Sequence, residues 1–181
     1  MSETNDQLVP GRSCQDCTLC CKLLAVEVLE KPRAEWCPHC DQKRGCKICA
    51  DRPAPCESFY CGYRRIPDLD ERWKPAKAKF LINFESAFNR IAIHVDPTRP
   101  DAWRMEPFHT TIKQWSLNAL REGGTVVVWC GPRVIVVLPD RDTDLGTPRD
   151  DQFIVRVERQ TARGIEIDFE LAEAGDPRVS A

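Results

Sequence analysis

The run Thr125-Val126-Val127-Val128-Trp129-Cys130, the pair Gly131-Pro132 and the run Arg133-Val134-Ile135-Val136-Val137-Leu138 decide how this chain folds. Both runs are β-branched along most of their length, and the glycine-proline pair divides them, so they read as a hairpin of buried strands. Upstream, Thr110 or Thr111 can cap a helix that continues to about Arg121 and stops at Gly123-Gly124. Ile112, Trp115, Leu117, Ala119 and Leu120 give that helix an imperfect apolar stripe. Before it, Lys79 to Glu85 and Ile91 to Val95 are short β-prone runs, followed by the turn-rich Asp96-Pro97-Thr98-Arg99-Pro100-Asp101. Downstream, Pro139 to Asp151 reads as a polar loop with five aspartates and two prolines. A second strand pair follows, Phe153 to Arg159 and Ile165 to Glu170, with Arg163-Gly164 in the turn and Phe153, Val155 and Val157 on one face. Residues 73–171 therefore read as an antiparallel sheet with one main helix, ending in a frayed tail at 172–181. The whole is of the α+β class.

A chain of 181 residues suits one domain, or one domain carrying a small metal-stabilised module. A formal charge of -2 gives no general pull towards nucleic acid or an anionic membrane. Residues 1–13 read as a flexible polar leader, closed by Pro10-Gly11, with no basic region followed by an apolar run. No stretch approaches the roughly 18 consecutive apolar residues of a membrane span. A cytoplasmic setting is the expectation.

Ten of the eleven cysteines lie in the front third: Cys14, Cys17, Cys20, Cys21, Cys37, Cys40, Cys46, Cys49, Cys56 and Cys61. In a reducing compartment, repeated C-x2-C spacing points to metal rather than disulfides. Cys14, Cys17 and Cys21 have the spacing of one helical face or of a tight turn ahead of a helix. Leu23 to Leu29 then suggest a short buried helix or strand. Cys37-Pro38-His39-Cys40 and Cys46-Lys47-Ile48-Cys49 are two knuckles, a turn that lets paired sulfurs meet one ion about 2.3 Å away. Only five residues separate them, far fewer than in a zinc ribbon, so they need not share an ion. Pro53 and Pro55 stiffen the turn that delivers Cys56 and Cys61. Residues 14–66 thus read as a cysteine-rich, metal-stapled module packed on the sheet, with all ten cysteines as candidate ligands.

The order Cys14-x2-Cys17-x2-Cys20-Cys21, Trp36-Cys37, Gly45-Cys46, Arg52-Pro53-x2-Cys56 and Phe59-x-Cys61 resembles the YkgJ-type cysteine-cluster family, whose members are described as zinc- or iron-chelating. The resemblance covers about residues 14 to 61. It implies that Cys14, Cys17, Cys20, Cys21, Cys46, Cys56 and Cys61 belong to the family's metal site, with Cys37 or Cys40 supplying a further ligand. Cys49 departs from the pattern, standing where the family commonly carries an aromatic, and so is an added ligand or a packed thiol. The resemblance implies no settled reaction.

Two metals suit these thiols. Zinc in two four-thiolate sites or a shared binuclear one would staple a region poor in large apolar residues. Iron or an iron-sulfur cluster is the alternative, because Cys14-x2-Cys17-x2-Cys20 has ferredoxin-like spacing and Cys37-Pro38 resembles its remote Cys-Pro. The adjacent Cys20 and Cys21 serve one tetrahedral ion poorly, which points to two sites or a bridge. His39 is a ligand or a loop histidine beside one, whereas His94 and His109 read as structural. Cys130, alone on a core strand, reads as a small buried hydrophobe. Asp140, Asp142 and Asp144 resemble a hard-cation loop, yet Leu145 and Asp151 occupy positions needing glycine and glutamate, so a solvated turn is the better reading. There is no P-loop, G-x-G-x-x-G, H-E-x-x-H or G-x-S-x-G.

Three functions compete. The first is a zinc protein that is mainly structural or presents a surface to a protein partner. The second is an iron or iron-sulfur protein with a redox or modification role. The third is a nucleic-acid-binding module, resting only on Lys43, Arg44, Lys47, Arg64 and Arg65, which are better explained as offsetting thiolate charge.

Overall fold

The computed structural model of the chain describes residues 8–14, 17–162 and 164–179. Its front third holds only short elements: α1 (Cys20–Leu23), β1 (Cys40–Asp41), β2 (Gly45–Cys46), α2 (Ala54–Glu57), α3 (Gly62–Arg65) and α4 (Pro75–Ala78). Prolines and paired cysteines at this density leave no room for a longer amphipathic repeat. Then come β3 (Phe80–Glu85), β4 (Arg90–Val95), α5 (Phe108–Arg121), β5 (Thr125–Cys130), β6 (Arg133–Val137) and β7 (Asp142–Gly146). The five strands form one sheet in sequence order, and β8 (Gln152–Thr161) pairs with β9 (Gly164–Glu173) as a separate ribbon. The α+β class holds.

The sheet is mixed, which corrects the purely antiparallel expectation. β4 runs parallel to β5, with Ile91 opposite Val126 and Val95 opposite Cys130. The reason is α5, which carries the chain back to the starting end of the sheet, as a parallel pair requires. That helix begins at Phe108 behind Pro107 rather than at a threonine cap, and the Thr111 hydroxyl instead donates to the Pro107 carbonyl at 3.0 Å. The hairpin at Gly131-Pro132 forms as expected, pairing Cys130 with Arg133.

The loop expected at 139–151 contains β7, paired to β6 from Val137–Asp142 to Val134–Gly146. Its polar side chains are neutralised in place. Lys113 Nζ donates to Asp142 Oδ1 at 2.7 Å and to the Leu138 and Arg141 carbonyls, and Arg133 pairs with Asp144 at 2.6 Å. The aspartate series thus meets cations of the chain itself.

Alternation along the strands gives the sheet two buried faces. On one, Ala92, Val127, Val134 and Val136 lie beneath Phe169, with Ile154 and Ile167 of the ribbon beside it. On the other, Ile93, Val95, Val126, Val128 and Val137 pack with Ile112 of α5 and with Trp73, Phe80 and Trp103. The Trp73 ring stands 4.8 Å from Phe108 and 5.2 Å from Trp115.

The cysteine-rich front joins this second face through Leu19, Leu23, Cys61 and Tyr63. α3 comes so close to β3 that a Cβ on Gly62 would lie 2.9 Å from Ile82 Cβ. Lys22 reaches Asp96, just beyond β4, at 2.6 Å, with both side chains nearly buried. The stretch Leu23 to Leu29 is neither one helix nor a strand: Leu23 ends α1, and a 3-10 turn over Glu27–Leu29 leaves Val28 exposed.

Of the expected leader, residues 1–7 lie outside the described residues. Within the remainder, the Arg12 guanidinium donates to the carbonyls of Tyr63, Ile66, Pro67 and Leu69 and sits 4.6 Å over the Tyr63 ring. At the other end, Arg178 pairs with Asp176 and Glu170 at 2.6 Å each, while 180–181 and the turn residue 163 lie outside the described residues. Among the described residues no helix is long and apolar enough to cross a membrane.

Candidate metal centre

The backbone turns that present thiols are formed. The Cys17 N–H donates to the Cys14 carbonyl at 3.0 Å, and α1 starts at Cys20. The Cys37 N–H donates to the Cys21 carbonyl and the Cys40 N–H to the Cys37 carbonyl, each at 2.9 Å, so the first knuckle is seated directly on α1. Cys40 faces Cys46 across the β1–β2 ladder, and the Lys47 N–H donates to the His39 carbonyl at 2.8 Å. This explains how knuckles only five residues apart coexist: one short antiparallel ladder carries both. Pro53 leads into α2, which carries Cys56, and Cys61 precedes α3 at its N-cap.

The raised thiols differ in the sulfurs that act on them. Cys14 acts on Cys17, and both act on Cys61, while Cys17 and Cys20 pack against the core cluster that contains Cys61. Burial pushes the Cys17 and Cys61 thiols up, and the neighbouring sulfurs push them further. Arg64, one turn along α3, sends Nη1 to Cys14 Sγ at 3.2 Å. A second set of mutual influences links Cys20, Cys21, Cys37, Cys40, Cys46 and Cys56. There Cys21 is raised strongly, first by its hydrogen bond with Cys20 and then by burial. Cys40 is pushed up to about 12 by burial and by Cys21. Cys56 is raised by burial, then by Cys21, Cys37 and Cys46. Raised values mean that these thiols hold their protons without a cation between them, and a metal would have to displace those protons.

Several cations lie near the thiols. Arg64 reaches Cys14 and the Arg52 charge acts to lower the Cys56 thiol, while the backbone N–H groups of Lys43 and Arg44 donate to Asp41 Oδ1 and close that turn. Lys31, which the sequence did not single out, is buried beside Cys20, Cys21 and Cys37. Its ammonium donates to the carbonyls of Lys22, Leu24 and Pro32, closing the end of α1. Burial lowers its pKa, and the three nearby sulfurs act to raise it. Its lone signal in sequence is its place between Cys21 and Cys37.

Cys49 is exposed on a turn after β2. Cys130 is half-buried at the end of β5, its thiol raised by burial and then by Asp101 and Asp96. His94 is buried on β4 and His109 lies within the first turn of α5.

The donor set suits a soft or borderline divalent ion, since thiolates are what such ions select. Among the described residues, however, no three Cys, His, Asp or Glu side chains already stand gathered as an ion cage. Holding an ion therefore requires side-chain rotation on backbone that is already turned. Compared with known families, curated proteins and solved structures, the chain matches none.

Proposed function

We propose that this is a thiolate metal-binding protein whose front module holds zinc in two places, mainly as a structural staple for the sheet it packs on. The observation that supports this best is that backbone contacts bring cysteines from separate stretches together: the Cys37 N–H donates to the Cys21 carbonyl, Cys40 pairs with Cys46 across β1–β2, and Cys61 sits at the N-cap of α3. The order of cysteines that resembles the YkgJ-type family supports it too. When bound, zinc supplies a fixed tetrahedral centre and folding free energy. The chain's own residues do the rest. The knuckles present the sulfurs, Lys31 and Arg64 offset thiolate charge, and Leu19, Leu23 and Tyr63 hold the module against the sheet.

Elemental analysis and an absorption spectrum of protein purified without oxygen test this reading. The expected result is about two zinc per chain and a colourless solution. Iron with acid-labile sulfide and absorbance near roughly 400 nm would replace it with the iron-sulfur alternative.

A further inference from the structure

We infer that Cys40 and Cys46 are a redox couple: opposite each other across the β1–β2 ladder, they close into a reversible disulfide on meeting a small-molecule disulfide. The strand register carries this independently of the metal reading. Cys40 is paired with Cys46 and Asp41 with Gly45. One step outside the cysteines, the Lys47 N–H donates to the His39 carbonyl at 2.8 Å, and the Cys40 N–H turns back to the Cys37 carbonyl at 2.9 Å. The cysteines are thus a non-hydrogen-bonded pair of an antiparallel ladder, the kind whose side chains share a face and approach most closely. Such pairs generally stand about 4.5 Å apart between Cα atoms, at the near end of the about 4.4–6.8 Å that a disulfide spans. A bond closed at that near end is held short of the preferred span of about 5.5–6 Å, which favours its reduction again.

The ladder keeps that register with its own turn. Asp41 Oδ1 accepts the backbone N–H groups of Lys43 and Arg44 at 2.9 and 3.0 Å, and Gly45 closes the turn at a φ of 96°, a left-handed angle that suits glycine. Among the described residues no other two cysteines are partners across an antiparallel ladder. Both thiols are half-buried, so a reagent from solvent reaches them. Between Cys40 and Cys49 the chain carries Lys43, Arg44 and Lys47, all exposed, against a single carboxylate, Asp41. That surplus of positive charge draws an anionic reagent such as oxidised glutathione.

The exchange takes two steps. One cysteine, as thiolate, attacks a sulfur of the small disulfide, whose S–S bond breaks and releases one small thiolate with the bonding pair. The other cysteine, its proton passed to solvent, attacks the sulfur now joined to the protein and expels the second small thiolate. The two protein thiols are oxidised by two electrons, and one small disulfide is reduced to two thiols. Only a thiolate serves as a metal ligand. Where the front module holds zinc through this pair, closing the disulfide therefore releases the ion.

Incubating the full chain at graded ratios of oxidised to reduced glutathione tests this, with the thiols then alkylated and the peptides mapped by mass. The Cys40–Cys46 crosslink is expected to dominate as the ratio rises and to vanish as it falls. Cys46→Ser should strand glutathione on Cys40, and Cys40→Ser should strand it on Cys46, while Cys21→Ser should leave the crosslink in place. A dominant crosslink elsewhere would overturn the couple, as would a parent chain in which Cys40 and Cys46 stay free or carry only glutathione. Zinc release, read in the same samples, should keep step with crosslinking, and zinc retained by the crosslinked chain would overturn the exclusion of ion by disulfide. Crosslinking in a chain that never held zinc would support the couple and overturn the metal reading. Bound zinc with no crosslink at any ratio would do the reverse.

Discussion

Arg33 leaves the cysteine-rich front and ends against the sheet, its guanidinium 4.2 Å over the Trp129 ring and its Nη1 2.9 Å from His94 Nδ1. A guanidinium only donates, so Nδ1 accepts and the ring proton sits on Nε2. That Nε2 is buried without a hydrogen-bond partner among the described residues, with Glu85 Oε1 3.9 Å away and the other Glu85 oxygen held by Arg90 at 2.5 Å. Burial, then Arg33 and Arg90, push His94 down to about 3. An unfolded histidine titrates near roughly 6.5. Between those values the unfolded chain binds a proton that the folded chain refuses, so this residue makes stability fall as pH drops from about 6.5 towards 3. The slope approaches about 1.4 kcal/mol per pH unit. Urea unfolding from pH 4.5 to 7.5 should show it, and His94→Gln should flatten it; an equal slope in the variant would refute the assignment. Nothing in the sequence marked this contact. Arg33 and His94 are polar residues in unrelated stretches, and only the wrapping of the segment after α1 around the sheet brings them together.

Among the elements, α3 and β3 meet where Gly62 faces Ile82. The glycine is required there by space rather than by an unusual backbone angle, since an added Cβ would come within 2.9 Å of one side-chain carbon and 3.1 Å of another. Gly62→Ala should destabilise the fold by about 1–3 kcal/mol, the range for overpacking, as read by thermal or urea unfolding. A variant as stable as the parent would mean that the helix can slide on the strand. The strands differed in how openly they announced themselves. β5, β6, β8 and β9 carry β-branched runs divided by turn residues, and period and turn agree. β7 reads Asp142-Thr143-Asp144-Leu145-Gly146, with its strand character hidden because cations from α5, β6 and the segment before α5 satisfy it. The parallel pairing of β4 and β5 was illegible for another reason: a strand's side chains state which faces are buried, not which neighbour lies beside it or which way it runs.

At the scale of the whole molecule, the front module owns few large buried side chains and leans on the sheet, whereas the sheet has apolar layers on both faces. On the metal-binding proposal, a chelator should therefore raise amide exchange across residues 14–61 while β3 to β6 stay protected. Equal loss of protection in both parts would show that metal and sheet unfold as one unit. That the cysteines were ligand candidates could be read directly from their spacing. Which of them come together could not, because it depends on contacts far apart in the chain, such as the β1–β2 ladder that sets Cys46 opposite Cys40 and the close approach of α3, headed by Cys61, to β3.

The parallel pair also sets an order of events during synthesis. A ribosome releases the cysteine-rich front first, then β3 and β4, and only after α5 the strand that completes their edge. Until β5 emerges, Leu19, Leu23 and Tyr63 have no finished surface to settle on, because Val126 and Val128 of that surface are still unmade. For that interval the nascent thiols stand in solvent, each free to meet an ion, an oxidant or a chaperone. On the metal-binding proposal, the unfinished chain is where an ion would most easily enter, before the closing of the sheet fixes the front in place.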